Sequence, residues 1–111
     1  MSGTFELRRT ANGDFTFRLV SGQGQIIVSS ANYKARASAR NGIASVRKNA
    51  LESGRYERRV STAGRHYFIL KARNGEPIAQ SPMLASVQDV QAAIDLLKQT
   101  VTEAGVTDVS L

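Results

Sequence analysis

The chain has 111 residues, 41% of them hydrophobic, enough for one modest core and too few for two independent ones. It contains no cysteine and one histidine, which excludes disulfides and cysteine nucleophiles and leaves no ligand spacing for zinc; its acids are too scattered for a calcium loop. The formal charge of +6 favours anionic partners, and the absence of any apolar run of membrane-spanning length or of a signal-like leader makes a cytoplasmic, non-membrane domain the expectation.

In chain order, Phe5-Glu6-Leu7-Arg8-Arg9 alternates apolar and polar side chains, as a half-buried strand does. Ala11-Asn12-Gly13-Asp14 then signals a hairpin turn, and Phe15-Thr16-Phe17-Arg18-Leu19 alternates again. After Ser21-Gly22-Gln23-Gly24 comes a β-branched run, Ile26-Ile27-Val28, which predicts a third strand. Ala39, Ile43, Val46 and Ala50 follow at helical spacing and are closed by Gly54. Asn41-Gly42, a typical hairpin dipeptide, therefore falls inside a helix. A glycine there costs about 1 kcal/mol relative to alanine, so a close approach of a strand or of another helix is expected beside Gly42.

Tyr56 to Ser61, His66 to Lys71 and Pro77 to Gln80 read as three more strands, joined at Thr62-Ala63-Gly64 and Arg73-Asn74-Gly75. The stripe Val87, Val90, Ile94, Leu97, Val101 predicts a second helix, with Ser86 and Asp89 as a capping box and Gly105 as a residue suited to its C-terminal cap. The tail 106–111 alternates once more and suits a short edge strand.

Shifted against itself by 51 residues without a gap, the sequence matches at eleven positions, among them Glu6 with Glu57, Phe17 with Phe68, Gly24 with Gly75, Ser30 with Ser81 and Ile43 with Ile94. Chance would give roughly three. The chain is a duplication, with repeats at 5–54 and 56–105, each β-β-β-α. One copy is too small to be comfortably stable, so the expected fold is α+β: a single domain in which both repeats share one core about a pseudo-twofold axis, two helices on antiparallel sheet, a monomer resembling a fused homodimer.

Three blocks carry a family resemblance: Phe15-Thr16-Phe17-Arg18-Leu19, Ile27-Val28-Ser29-Ser30-Ala31-Asn32-Tyr33, and Asn41 to Ala50 with its NGI and Val46-Arg47-Lys48-Asn49 pattern. They resemble the YegP-like proteins, small bacterial domains that occur singly or in tandem. In the second copy Phe68 to Ser81 fits, whereas Leu84 replaces the tyrosine and Ala92-Ala93 the Asn-Gly pair. The resemblance implies duplicated strand-strand-strand-helix units and, the family being one of unknown function, no activity and no catalytic residue. A site built on Tyr33 and Asn41-Gly42 would exist once.

The first repeat, residues 1–53, holds eight basic and three acidic side chains; residues 54–111 hold seven and six. Lys34, Arg36, Arg40, Arg47 and Lys48 are the candidate anion-binding residues, since Arg36, Arg40 and Arg47 fall on one side of the first helix, as guanidinium groups able to contact phosphate in pairs would. The competing reading is a solvated face, or one paired with Asp89, Asp95 and Glu103 of the second helix. Tyr33 reads as a packing residue at the helix entry, and Tyr67 with Ile69 as lining a second sheet face or a partner contact. Glu6 with Arg8 and Glu57 with Arg59 suit local ion pairs, and Ser30 and Ser81 suit backbone capping. His66, on a strand, completes no triad. The function expected is a non-catalytic binding module, with no cofactor, for an anionic partner such as nucleic acid; the alternative is a protein-interaction or stress-associated structural module without nucleic-acid binding.

Overall fold

The computed structural model describes residues 3–109, and its strands form one seven-stranded sheet. In chain order the elements are β1 (Thr4–Arg9), β2 (Phe15–Val20), β3 (Ile26–Ser30), α1 (Arg36–Asn49), β4 (Tyr56–Val60), β5 (His66–Lys71), β6 (Pro77–Gln80), α2 (Val87–Val101) and β7 (Gly105–Asp108), with a 3-10 turn at Ser53–Arg55. Across the sheet they lie β4-β5-β6-β3-β2-β1-β7. Every neighbouring pair is antiparallel except β1 and β7, which run parallel with Thr4 opposite Gly105 and Leu7 opposite Asp108.

The two repeats meet at β3 and β6, where Ser29 lies opposite Gln80. These residues are 51 apart, so each faces its own counterpart and the pseudo-twofold axis passes between them. Alternation along the strands sends Phe5, Leu7, Phe15, Phe17, Leu19, Phe68 and Leu70 to the helix-covered face, where they join Ile43 and Val46 of α1 and Val90, Ile94, Leu97 and Val101 of α2 in a single buried cluster. Neither repeat closes a core of its own.

One glycine in each of the four hairpin loops, Gly13, Gly24, Gly64 and Gly75, has positive φ, which ties the tight turns to glycine. Gly42 has another reason. A Cβ there would lie 2.5 Å from the Tyr33 hydroxyl and 2.8 Å from Cε2 of Phe17, and the Tyr33 ring stacks on Phe17. The close neighbours are thus a β2 side chain and the ring entering α1.

The helix ends differ from the sequence expectation. Gly54 lies in the 3-10 turn and Gly105 opens β7, and neither takes positive φ. Left-handed caps are unnecessary because side chains from the other repeat reach the terminal carbonyls. Tyr56 of β4 donates its hydroxyl to the Ala50 carbonyl at 2.6 Å, and Arg47 of α1 donates to the carbonyls of Val101 and Ala104 at 2.9 and 2.7 Å. At the start of α2, Ser86 accepts from the Asp89 amide as the capping box requires.

Candidate anion-binding site

The five basic candidates separate into three settings. Lys34 reaches the Asp14 carboxylate at 3.5 Å while its side chain stays 93% exposed. Arg36 and Arg40 share one oxygen of Asp108 in β7, at 3.2 and 3.3 Å, with side chains 41% and 52% exposed. Arg36 also lies over the Phe15 ring, 5.3 Å from its centre. No acid occupies the first turn of α1, so Asp108 supplies from outside the negative charge that a helix N-terminus favours. Arg47 is held by the two carbonyls of the α2 end and stacks 4.9 Å over Phe5. The partners of this arginine row are therefore β7 and the end of α2 rather than Asp89, Asp95 and Glu103, because α1 runs alongside the segment where α2 passes into β7.

Lys48 points elsewhere. It lines a cleft of about 430 Å³ with Ser45, Asn49, Glu52 and Arg55 on one side and Arg73 and Asn74 of the β5–β6 turn on the other. Asn49, buried at the last position of α1, donates to the Ser45 carbonyl at 2.9 Å and accepts from Nε of Arg55 at 3.0 Å, which fixes the guanidinium at the rim. Three cations and one carboxylate thus line a polar recess. Arg73 escapes a sequence reading because it occupies an ordinary turn of the second repeat and only the crossing of α1 over that turn brings it to Lys48, whereas Arg55 joins locally, from the 3-10 turn after α1, through its bond to Asn49.

The remaining candidates are structural in setting. The Ser30 hydroxyl accepts from the Phe17 amide at 2.9 Å and donates to the Ala31 carbonyl, and Ser81 does the same with Phe68 and Pro82. On the open sheet face Glu6 receives Arg18 at 2.7 Å and Arg8 at 3.7 Å, while Glu57 pairs with Lys71 and Arg59. Hydrogen bonds from Lys71 and then Arg59 hold the Glu57 carboxyl below its ordinary range, and Glu57 in turn raises Arg59. That arrangement suits a fixed carboxylate and not a proton donor. Burial raises the phenols of Tyr33 and Tyr56, Tyr56 further through Asp95. Ile69 is buried beside half-buried Tyr67, so the pair presents little exposed apolar surface. Among the described residues no group of acids and histidine could hold a metal ion, and no helix is long and apolar enough to cross a membrane.

The domain of unknown function DUF1508 matches the chain twice, at residues 11–57 and 61–108. The chain belongs to this family. Each DUF1508 match runs through a hairpin and a helix into the strand after it, reaching β4 in the first copy and β7 in the second. The UPF0339 protein YegP of Escherichia coli K12 is 39% identical over 108 residues, covering 97% of this chain and 98% of its own. A UPF0339 protein of Acinetobacter baylyi is 44% identical over 110 residues, covering 99% of each. The solution structure of E. coli YegP, a protein of unknown function, superposes with a TM-score of 0.93 at 38% identity, covering 99% of this chain and 95% of that one. A UPF0339 protein from Shewanella oneidensis gives 0.92 at 33% identity, covering 99% and 93%. DUF1508 membership thus accounts for the tandem fold and names no ligand.

Proposed function

We propose that the protein is a non-catalytic binding module for an anionic partner, the phosphate backbone of a nucleic acid, engaged at the C-terminal end of α1. The observation that carries this reading is the convergence of Lys48, Arg55 and Arg73 on one polar cleft against the single carboxylate of Glu52. Arginine forks bind phosphate oxygens in pairs, lysine adds a point charge, and Asn74 and Ser45 offer neutral hydrogen-bonding groups at the same rim. Lys34 and Arg40, exposed at the other end of α1, extend the basic surface along the helix. The non-catalytic part is supported by the two conserved-in-repeat serines, Ser30 and Ser81, whose hydroxyls are committed to backbone groups, and by carboxylates held in ion pairs.

Fluorescence anisotropy with labelled single-stranded and duplex oligonucleotides tests it. Binding should weaken steeply between about 50 and 200 mM salt, and replacing Lys48, Arg55 and Arg73 together by alanine should reduce the salt slope by about two to three. Absent binding at the lower salt, or affinity unchanged in the triple variant, would overturn the reading.

A further inference from the structure

The pseudo-twofold axis exposes a vacancy in the sheet. On its outer side β1 is covered by β7, while its counterpart β4 pairs only with β5 among the described residues. The residues 51 before β7, 54–57, are used in the 3-10 turn and in entering β4, so the second repeat has no strand of its own to place there.

The surroundings of this open edge also differ from those of β1. Beside β1, Arg9 and Arg36 cover the Phe15 ring at 5.5 and 5.3 Å, and Arg36 takes Asp108 from β7. The counterparts beside β4 are Val60, Val87 and His66. Val60 and Val87 are 60% and 57% exposed, and with Val90 and Tyr67 they line a cleft of about 190 Å³. The position opposite Asp108 is Leu7 in β1, and its counterpart in β4 is Arg58, an exposed residue that reaches Gln91 of α2.

We propose that the β4 edge accepts an extended segment of another protein as an eighth strand, one carrying an acidic residue to face Arg58 and, two residues further on and so on the same face, an aliphatic residue to fill the Val60–Val87–Val90 cleft. Main-chain pairing supplies the affinity and these two side chains the selectivity, as in strand addition generally. Charge complementarity selects this occupant: Arg58 and Arg65, exposed along the edge and its turn, oppose pairing of β4 with β4 of a second copy and favour an acidic strand. The proposal concerns a surface separate from the Lys48 cleft and stands without it.

A suitable probe is the synthetic peptide AGVTDSVL, in which aspartate takes the place that Asp108 of β7 takes beside β1 and valine follows two residues on, followed by amide chemical shifts of the intact protein. Shifts confined to Tyr56–Val60, His66 and the start of α2 are expected, with a roughly tenfold loss of affinity for AGVTKSVL and for the Val60→Asp and Arg58→Glu variants. Both substitutions are at exposed positions, and the unliganded spectra check that each variant is folded. No shifts at these amides, shifts at β1 from displacement of β7, or concentration-dependent dimerisation in place of peptide binding would each overturn the proposal.

Discussion

The C-terminal end of α1 meets the second repeat's central hairpin turn in a basic recess, whereas the positions that duplication makes equivalent at the end of α2 carry different chemistry. The recess under α1 is lined by Ser45, Lys48, Asn49, Arg55 and Arg73. The equivalent positions in the other repeat hold Leu96, Gln99, Thr100, Val106 and Gly22. Duplication therefore supplies two equivalent places and side chains make only one of them basic. A second difference lies in packing. The first repeat combines Tyr33 with Gly42, and the second has Leu84 with Ala93 at the same places. A large ring facing a glycine and a smaller aliphatic side chain facing a methyl fill similar space, so the two departures form one compensated exchange.

The largest expected effect breaks the interlock between the repeats. Arg47→Ala removes two charge-assisted hydrogen bonds and leaves the carbonyls of Val101 and Ala104 without that donor, so urea unfolding should show a loss of about 2–3 kcal/mol. Unchanged stability would mean the end of α2 is held independently of the first repeat. Next comes the exchange itself. Gly42→Ala should destabilise by about 1–2 kcal/mol, because overpacking against Tyr33 and Phe17 outweighs the gain in helix propensity. Adding Tyr33→Leu, which copies the second repeat, should recover most of that loss; stabilisation by Gly42→Ala alone would refute the packing account. The smallest effect near neutral pH concerns Tyr56, which has no tyrosine counterpart, Phe5 standing in its place. Its phenol is raised by burial and then by Asp95, so the folded state holds the proton more tightly than the unfolded one. The stabilisation is complete below the ordinary phenol range near pH 10 and falls as pH rises through and above it. Thermal melts from neutral to strongly alkaline pH should show Tyr56→Phe less stable by about 1 kcal/mol at pH 7, through loss of the bond to Ala50, yet less sensitive to alkali than the parent.

Much of the fold is legible in the sequence because its signals are local. Glycine turns, strand alternation and the helical stripes each depend on neighbouring residues, and the repeat register reveals which positions are equivalent. Gly54 and Gly105 read as helix terminators because a glycine after a helix usually is one. Tyr56 and Arg47 replace that device, and their reach depends on how the repeats cross. The arginines of α1 share one side, as their helical spacing indicates, yet their partners Asp108, Val101 and Ala104 follow from the placement of β7, which no local pattern encodes. Arg73 reaches the basic cleft through the crossing of α1 over the β5–β6 turn, which is equally non-local. The function was never legible to the same degree: a charge imbalance identifies the sign of a partner and nothing about its shape.

The crossing of α1 over the second repeat also bears on the order of events during synthesis. The turn bearing Arg73 and the strand bearing Tyr56 are translated after the helix that they receive. The amino-terminal half must therefore leave the ribosome with part of its apolar helix face uncovered, and completion of the native state waits for the carboxyl-terminal half to emerge.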